Sequence, residues 1–248
     1  MRKIQFSAAI AAALLSASAM AADVRIATEG AYAPWNFMDD SGKVAGFEVE
    51  LGNLVCERAG VECEWVVNEW DSIIPNLVAG NYDMIMAGMS VTDERKETIM
   101  FGNEYFPADP SAFVAASSAD IDFDNLKGLK IGAQGATIQA AYVEANLADG
   151  NDILSYETAD QSVADLAAGN IDLLLADASF LEPIVKGSGG AIAFVGERVQ
   201  IGGGVAAGYR QADGDLAEKM NAALEDVRTD GTLSKLLVEY FENDPYAQ

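Results

Sequence analysis

The chain has 248 residues, of which 39 are acidic, 15 are basic and none is histidine, so its formal net charge is −24. Such an acidic chain is a poor match for nucleic acid, which requires a basic binding face. The lack of histidine excludes any mechanism that needs a histidine base or a histidine metal ligand, and we expect neither a cofactor nor a metal site.

The N-terminus has the pattern of a cleaved signal peptide over residues 1–21. Arg2 and Lys3 precede an uncharged, mostly apolar run over 4–20, and Ala19-Met20-Ala21 places small residues where a signal peptidase cuts. This run is rich in alanine and shorter than the roughly 20 apolar residues of a membrane span. We therefore expect export to the periplasm and a soluble mature chain with a net charge of 13 − 39 = −26.

Strand and helix patterns alternate through the first part of the predicted mature chain. From Phe47 onwards, apolar residues recur at helical spacing, which predicts a helix that ends near Gly60. The segment 82–87 is almost continuously apolar, as buried parallel strands are. The other elements predicted here are strands over 23–28 and 64–67 and a helix over 72–79.

Two changes in composition divide the chain. One lies at 107–113, with Pro107 and Pro110, and the other lies at 200–205, with Gly202-Gly203-Gly204. The predicted elements that follow the first change are a short strand around 113–114, strands over 129–133, 153–156 and 171–175, and helices over 138–147, 163–168 and 180–185. A strand over 205–209 and two helices with apolar stripes follow.

The order of these elements predicts an α/β fold with parallel-rich sheets that have helices on both faces. A chain of this length suits two lobes of roughly 100 residues each. We assign residues 22–108 and 204–248 to the first lobe and residues 109–203 to the second, so the chain crosses between the lobes and returns.

The segment from Met84 to Arg95 has the residue types that suit a free amino acid. Such a ligand needs a guanidinium for its carboxylate and a carboxylate for its ammonium, placed where strands end and helices begin. The strand pattern ends at Ala87, and Gly88 lets a ligand approach the backbone closely. Ser90 then adds a hydroxyl, and Arg95 follows it.

With this segment, the sequence resembles the amino-acid-binding family of ABC-transporter solute-binding proteins, whose members bind lysine, arginine and ornithine, histidine, glutamine or opines. Further resemblance lies in the stretches 28–37 (TEGAYAPWNF), 46–51 (GFEVEL), 70–77 (WDSIIPNL), 132–137 (GAQGAT) and 230–232 (DGT). It covers essentially all of the predicted mature chain. It implies a two-lobed periplasmic-binding-protein fold of type II with two hinge crossovers. It also implies a protein without catalysis, expected to be a monomer, that delivers a free amino acid to an inner-membrane ABC permease.

The resemblance implies roles for residues at matching positions. Arg95 would hold the α-carboxylate of the ligand, with a surface salt bridge to Asp93 or Glu94 as the alternative. Thr137, at a helix N-terminus of the second lobe, would meet the same carboxylate and can also act as an ordinary N-cap. Asp177 would accept the α-ammonium. Backbone or hydroxyl contacts would come from two further residues, Gly88 and Ser90.

Three more matching positions concern the side chain of the ligand. Tyr32 and Trp70 match aromatic positions that enclose this side chain, and their rings suit a guanidinium group or an aliphatic stem. Glu29 matches an acidic position that receives the distal cationic group in the basic-amino-acid binders. The alternative for Glu29 is an ordinary solvent-facing carboxylate.

The sequence departs from the family near the expected side-chain pocket. Ala87 stands where some basic-amino-acid binders have a hydroxyl, and Ile138 and Gln139 follow Thr137 where family members vary. The identity of the ligand therefore stays open. We expect a basic amino acid, with arginine favoured. The alternatives are a neutral polar amino acid, an opine, or the activity of a periplasmic dehydratase of the same fold.

The chain has two cysteines, Cys56 and Cys63, and two cysteines in an exported chain favour a disulfide. The resemblance implies that they form a bridge, because the basic-amino-acid branch has a disulfide at this position. The alternative is a pair of buried free thiols.

Overall fold

The structure, a computed structural model, describes residues 23–247. The predicted signal peptide over 1–21 lies outside these residues. The described part of the chain contains two five-stranded sheets and one three-stranded sheet. None of its helices has the length and apolarity of a membrane span.

Strands and helices alternate along the chain. The strands are β1 (Val24–Thr28), β2 (Ala31–Tyr32), β3 (Asn36–Met38), β4 (Val44–Ala45), β5 (Cys63–Val67), β6 (Met84–Ile85), β7 (Ile99–Phe106), β8 (Ser111–Ala116), β9 (Lys130–Gln134), β10 (Asp152–Tyr156), β11 (Leu173–Asp177), β12 (Ile192–Val199) and β13 (Val205–Arg210). The helices are α1 (Phe47–Ala59), α2 (Trp70–Val78), α3 (Asp93–Thr98), α4 (Ile138–Leu147), α5 (Ala159–Ala168), α6 (Ala178–Gly187), α7 (Gly214–Thr229) and α8 (Thr232–Phe241).

Each five-stranded sheet belongs to one lobe of the predicted two-lobed fold. The strand order is β5-β1-β6-β13-β7 in the first lobe and β10-β9-β11-β8-β12 in the second. The three strands β5-β1-β6 and the three strands β10-β9-β11 are parallel. The other pairings are antiparallel, so both sheets are mixed, whereas the sequence predicts mainly parallel pairing.

The chain passes twice between the two sheets, near the two changes in composition. The first passage joins β7 to β8 through residues 107–110, and the second joins β12 to β13 through residues 200–204. These passages are the hinge crossovers of the fold. The lobe limits, 22–108 with 204–248 and 109–203, stay predictions.

Neighbouring residues of the strands pack on opposite faces of each sheet. In β1, Ile26 packs in the same core cluster as Leu51 of α1, whereas the next residue, Ala27, packs with Ile73 of α2. The strand β11 of the second lobe divides its side chains between two clusters in the same way. Helices therefore cover both faces, and the ends of the strands are left to form a site.

The disulfide is present in the first lobe. Cys56 near the end of α1 is bonded to Cys63 at the start of β5, with the Cα atoms 6.2 Å apart. This confirms the predicted pairing over the alternative of two free thiols.

Candidate functional site

The carboxyl ends of strands from both lobes meet around a cavity with an empty volume of about 330 Å³. Such strand ends are where α/β folds place ligand sites, because the loops that follow the strands converge there. The cavity is lined by all eight residues that the sequence predicts as ligand contacts: Glu29, Tyr32, Trp70, Gly88, Ser90, Arg95, Thr137 and Asp177. Its lining is completed by Ala87, Gln134, Ile138 and Gln139.

Arg95 lies in α3, and neutral groups hold its guanidinium. Thr92 caps the helix by accepting a hydrogen bond from the Arg95 backbone N–H at 3.1 Å. A terminal nitrogen of the guanidinium donates to the backbone oxygen of Ser90 at 2.9 Å, and Cζ lies 5.2 Å from the ring centroid of Trp70. Burial lowers the pKa of Arg95 to about 10, so the group stays charged at neutral pH.

Arg95 takes part in none of the ion pairs found within residues 23–247. The alternative of a salt bridge with Asp93 or Glu94 is therefore not observed, and Asp93 pairs with Lys96 at 3.1 Å instead. The positive charge of Arg95 borders the cavity, where a carboxylate would match the fork of the guanidinium.

Asp177 ends β11 and places its carboxyl group at the cavity. Its Oδ2 accepts a hydrogen bond from the Tyr32 hydroxyl at 2.8 Å, and its Oδ1 accepts one from Gln139 Nε2 at 2.6 Å. Burial and the nearby Asp109 carboxyl raise the pKa of Asp177 to about 7, although its hydrogen bonds and Arg95 act in the opposite direction. An ammonium group in the cavity would stabilise the ionised form.

Glu29 follows β1 and is buried, with 7% of its surface exposed, so it is not the solvent-facing carboxylate of the alternative prediction. Its Oε1 accepts a hydrogen bond from Gln134 Nε2 at 2.6 Å. Burial raises the pKa of Glu29 to about 7, against the lowering effect of this hydrogen bond. The carboxyls of Asp160 and Asp71 also act to raise this pKa. Glu29 is thus a second desolvated acid that a cation would stabilise.

Tyr32 and Trp70 each have a ring face in contact with the protein. Phe180 stacks on Tyr32, with ring centroids 4.3 Å apart and planes inclined by 4°. The guanidinium of Arg95 lies over Trp70, whose Nε1 donates to the backbone oxygen of Ala136 at 3.1 Å. The predicted enclosure of a ligand side chain would therefore use the remaining ring faces.

Gly88 and Thr137 each use a polar group in a hydrogen bond within the protein, which limits the atoms that they can offer to a ligand. Gly88 has a φ of 62°, which favours glycine, and its backbone N–H donates to Glu48 Oε1 at 2.7 Å. Thr137 is the N-cap of α4, and its hydroxyl accepts from the Ala140 backbone N–H at 3.0 Å and donates to a backbone oxygen at 2.7 Å. Ligand contacts of these residues would therefore involve other atoms than the Gly88 N–H and the hydroxyl proton of Thr137.

Residues 24–243 match the sequence model of the bacterial extracellular solute-binding proteins, family 3. The chain belongs to this family. The L-arginine-binding protein of Pseudomonas aeruginosa is 35% identical to it, over 99% of this chain and 99% of the relative. The lysine/arginine/ornithine-binding periplasmic protein of Escherichia coli is 36% identical, over 96% of this chain and 94% of the relative.

A solved structure agrees with this family assignment. It is a periplasmic binding protein of the His/Glu/Gln/Arg/opine family from Silicibacter pomeroyi, in complex with lysine. It is 47% identical to this chain, with a TM-score of 0.83, and the match covers 91% of this chain and 100% of that one. The two-lobed fold is therefore shared with a periplasmic binding protein whose structure holds lysine.

Several contacts that shape the cavity were not predicted from the sequence. Gln134 and Gln139 each donate to a cavity carboxylate, and Phe180 stacks on Tyr32. Glu48, fully buried in α1, accepts the hydrogen bond from the Gly88 backbone. A sequence signal existed for Gln134, a polar residue directly after the predicted strand over 129–133. The side-chain directions of the others do not follow from sequence spacing.

Proposed function

We propose that this protein is the extracytoplasmic solute-binding component of an amino-acid ABC transporter, and that it closes its two lobes around a free basic amino acid, with arginine favoured. The observation that carries the proposal is the set of charges around the cavity. One guanidinium and two desolvated carboxylates line it, and none of the three has an ion-pair partner within residues 23–247.

These charges complement those of a basic amino acid. With both carboxylates ionised, the cavity has one positive and two negative groups, whereas the ligand has one negative and two positive groups. Arg95 would hold the α-carboxylate through two N–H groups, Asp177 would accept the α-ammonium, and Glu29 would accept the distal cation. Every buried charge would then have a partner of opposite sign, which burial in a low dielectric requires.

Other ligands leave one of these charges without a partner. A neutral amino acid offers no cation to Glu29, and this mismatch disfavours it by about 1–3 kcal/mol. A carboxylic acid without an ammonium group, such as the dehydratase substrate prephenate, leaves Asp177 without a cationic partner. The cavity therefore favours binding of an α-amino acid, and we propose no catalytic step.

The relatives support this assignment. Two of them are named for binding arginine, or lysine, arginine and ornithine, and the solved structure holds lysine. The predicted signal peptide and the periplasmic relatives support a periplasmic location. We further propose that the protein acts there as a monomer and delivers its ligand to an inner-membrane ABC permease.

Isothermal titration calorimetry with a panel of ligands tests the proposal. The mature chain is titrated with arginine, lysine, ornithine, glutamine, octopine and prephenate. We expect the cationic amino acids to bind at least about fivefold more tightly than glutamine, from the low end of the expected energy difference of about 1 kcal/mol. Tighter binding of glutamine or octopine would favour those ligand classes instead, and turnover of prephenate would overturn the proposal.

A further inference from the structure

Gln134 connects the two lobes at the carboxylate that we assign to the distal cation of the ligand. It ends β9, and 6% of its surface is exposed. Its Nε2 donates to Glu29 Oε1 at 2.6 Å and to the backbone oxygen of Glu157 at 3.1 Å. Glu29 follows a strand of the first sheet, whereas Gln134 and Glu157 belong to strands and loops of the second sheet. The Gln134–Glu29 contact therefore spans the cleft.

The contact with Glu157 fixes which end of the Gln134 amide faces Glu29. A carboxylate oxygen and a backbone oxygen both require the NH₂ group, and the reversed amide would place its own oxygen against these two acceptors. Because Glu157 and Gln134 lie on the same side of the cleft, this orientation is independent of Glu29. The second lobe thus presents an oriented donor, and opening of the cleft would separate it from Glu29.

The Gln134 amide is an uncharged donor, so the negative charge of Glu29 stays available to a cationic ligand. The acids that face Glu29 from neighbouring elements are Asp71 of α2 and Asp160 of α5, and both disfavour the ionised carboxylate, as burial does. The hydrogen bond from Gln134 favours the ionised form. A lysine or arginine at this position would also favour the ionised form of Glu29. Its positive charge would, however, form an ion pair with the Glu29 carboxylate before a cationic ligand binds.

We propose that Gln134 is a positioning residue for ligand specificity, which orients the Glu29 carboxylate and favours its ionised form when the lobes are closed. The preference for a cationic side chain is then coupled to lobe closure. This inference rests on the proposed function, because it concerns the same cavity. Gln139 differs from Gln134 in acting on Asp177, and therefore on the α-ammonium that all amino acids share.

The substitution Gln134→Met tests the inference, because it keeps the length of the side chain and removes its hydrogen-bonding groups. We expect the ratio of arginine affinity to glutamine affinity to fall about tenfold, since hydrogen bonds to charged groups are among the strongest in proteins. Gln139→Met is the matched variant within the cavity and should weaken both ligands by the same factor. Gln161→Met, at an exposed position of α5, should change neither.

The pH dependence of binding separates positioning from structural support. Without the Gln134 donor the pKa of Glu29 rises further, so the pH below which arginine affinity declines should move upward in Gln134→Met. The pH profile of glutamine binding should not move in that variant, whereas both profiles should move in Gln139→Met. Gln134→Asn, which keeps the amide but is too short to reach Glu29, should reproduce the Gln134→Met result if the methionine variant unfolds.

Equal losses for arginine and glutamine in Gln134→Met, or an unmoved pH profile for arginine, would overturn the inference. An unchanged affinity ratio in the folded asparagine variant would do the same. The wild-type titrations distinguish this failure from failure of the proposed function. If the wild-type protein binds no basic amino acid, both fail; if it binds arginine and the ratio is insensitive to Gln134, only the role of Gln134 fails.

Discussion

Arg95 borders the cavity with its guanidinium supported by a backbone oxygen and an aromatic ring. Neither support supplies a negative charge, so the proposed α-carboxylate would be its ionic partner. Arg95→Ala removes a charge-assisted bidentate contact, and we expect arginine binding to weaken by about 3 kcal/mol or more in calorimetry. The fold should survive, because within residues 23–247 Arg95 belongs to no ion pair.

Arg198→Ala is the matched control for this experiment. Arg198 also lies over an aromatic ring, with its Cζ 4.5 Å from the centroid of Phe194, but its side chain is 42% exposed and does not line the cavity. Its replacement should leave arginine affinity unchanged. Near-normal affinity in Arg95→Ala, with both variants folded in thermal unfolding, would contradict the role of Arg95.

The two cavity carboxylates link both binding and stability to pH. Burial raises the pKa of Glu29 and of Asp177 to about 7. A cationic ligand binds the ionised forms, so arginine affinity should fall as the pH is lowered through about 7, with proton release on binding in that range. For the folding stability of the unliganded protein, the dependence on pH has the opposite sign. The folded-state pKa values lie above the unfolded ones, so this contribution to stability is present in acid and lost as the pH rises through about 7.

Titrations in two buffers of different ionisation enthalpy measure the proton release. The variant Glu29→Gln/Asp177→Asn is the control and should release almost no protons from these sites. The contradicting result is an arginine affinity that does not change with pH between about 5 and 8. This range lies above the ordinary pKa values of carboxyl groups, so such a result would mean that both acids are ionised throughout it.

At the scale of single elements, the disulfide fastens the end of α1 to the start of β5. Cys56 and Cys63 are seven residues apart, so the closed loop is short and the loop-entropy estimate gives about 2 kcal/mol of stabilisation. We expect Cys56→Ala/Cys63→Ala to unfold at lower urea concentration and to bind arginine with unchanged affinity, since neither residue lines the cavity. Two free thiols in denatured, unreduced wild-type protein would contradict the bridge.

Besides the short strands β2, β3 and β4, the two longer strands β7 and β12 were not predicted from the sequence. Both lie at the edge of their sheet, and each pairs with a single neighbour through an irregular register. Residues 103–104 of β7 and 196–198 of β12 are exposed, so neither strand has a continuous apolar run or a strict alternation. By contrast, α4 has its predicted limits of 138 and 147, because helical spacing and the cap at Thr137 mark its start.

The positions of the site residues were predictable because strand ends converge in this kind of fold, and the family motifs follow those ends. The hydrogen bonds within the cavity were not predictable from the sequence. Gln134 bonds to Glu29, which lies 105 residues away, and Gln139 bonds to Asp177, which lies 38 residues away. The first contact depends on how the two lobes meet, and the second depends on how α4 packs beside β11 within the second lobe. A single sequence shows local spacing but neither of these geometries.

At the scale of the whole molecule, hydrogen bonds across the cleft join the lobes at the cavity. Tyr32 bonds to Asp177 at 2.8 Å, and Trp70 bonds to Ala136 at 3.1 Å. A ligand held by Arg95 on one side and by Asp177 on the other would add to these contacts and favour the closed state. We therefore expect saturating arginine to lower the radius of gyration measured by small-angle X-ray scattering.

Arg95→Ala is the control for closure, because it removes the contact on one side of the cleft. Its radius of gyration should not respond to the arginine concentration that saturates the wild-type protein. Tight binding of arginine by the wild-type protein without any change in radius of gyration would mean that the cleft is closed before the ligand binds, which contradicts ligand-driven closure.

Recognition of the charge on the ligand side chain is tested most directly by Glu29→Gln, which keeps the size of the residue and removes its charge. Wild-type protein and variant are each titrated with arginine and with glutamine in the calorimeter. We predict that arginine affinity falls by on the order of tenfold or more, because its cation loses a desolvated partner, while glutamine affinity changes little. An equal loss for both ligands, or a wild-type protein that never binds arginine, would contradict the proposal that Glu29 selects a basic amino acid.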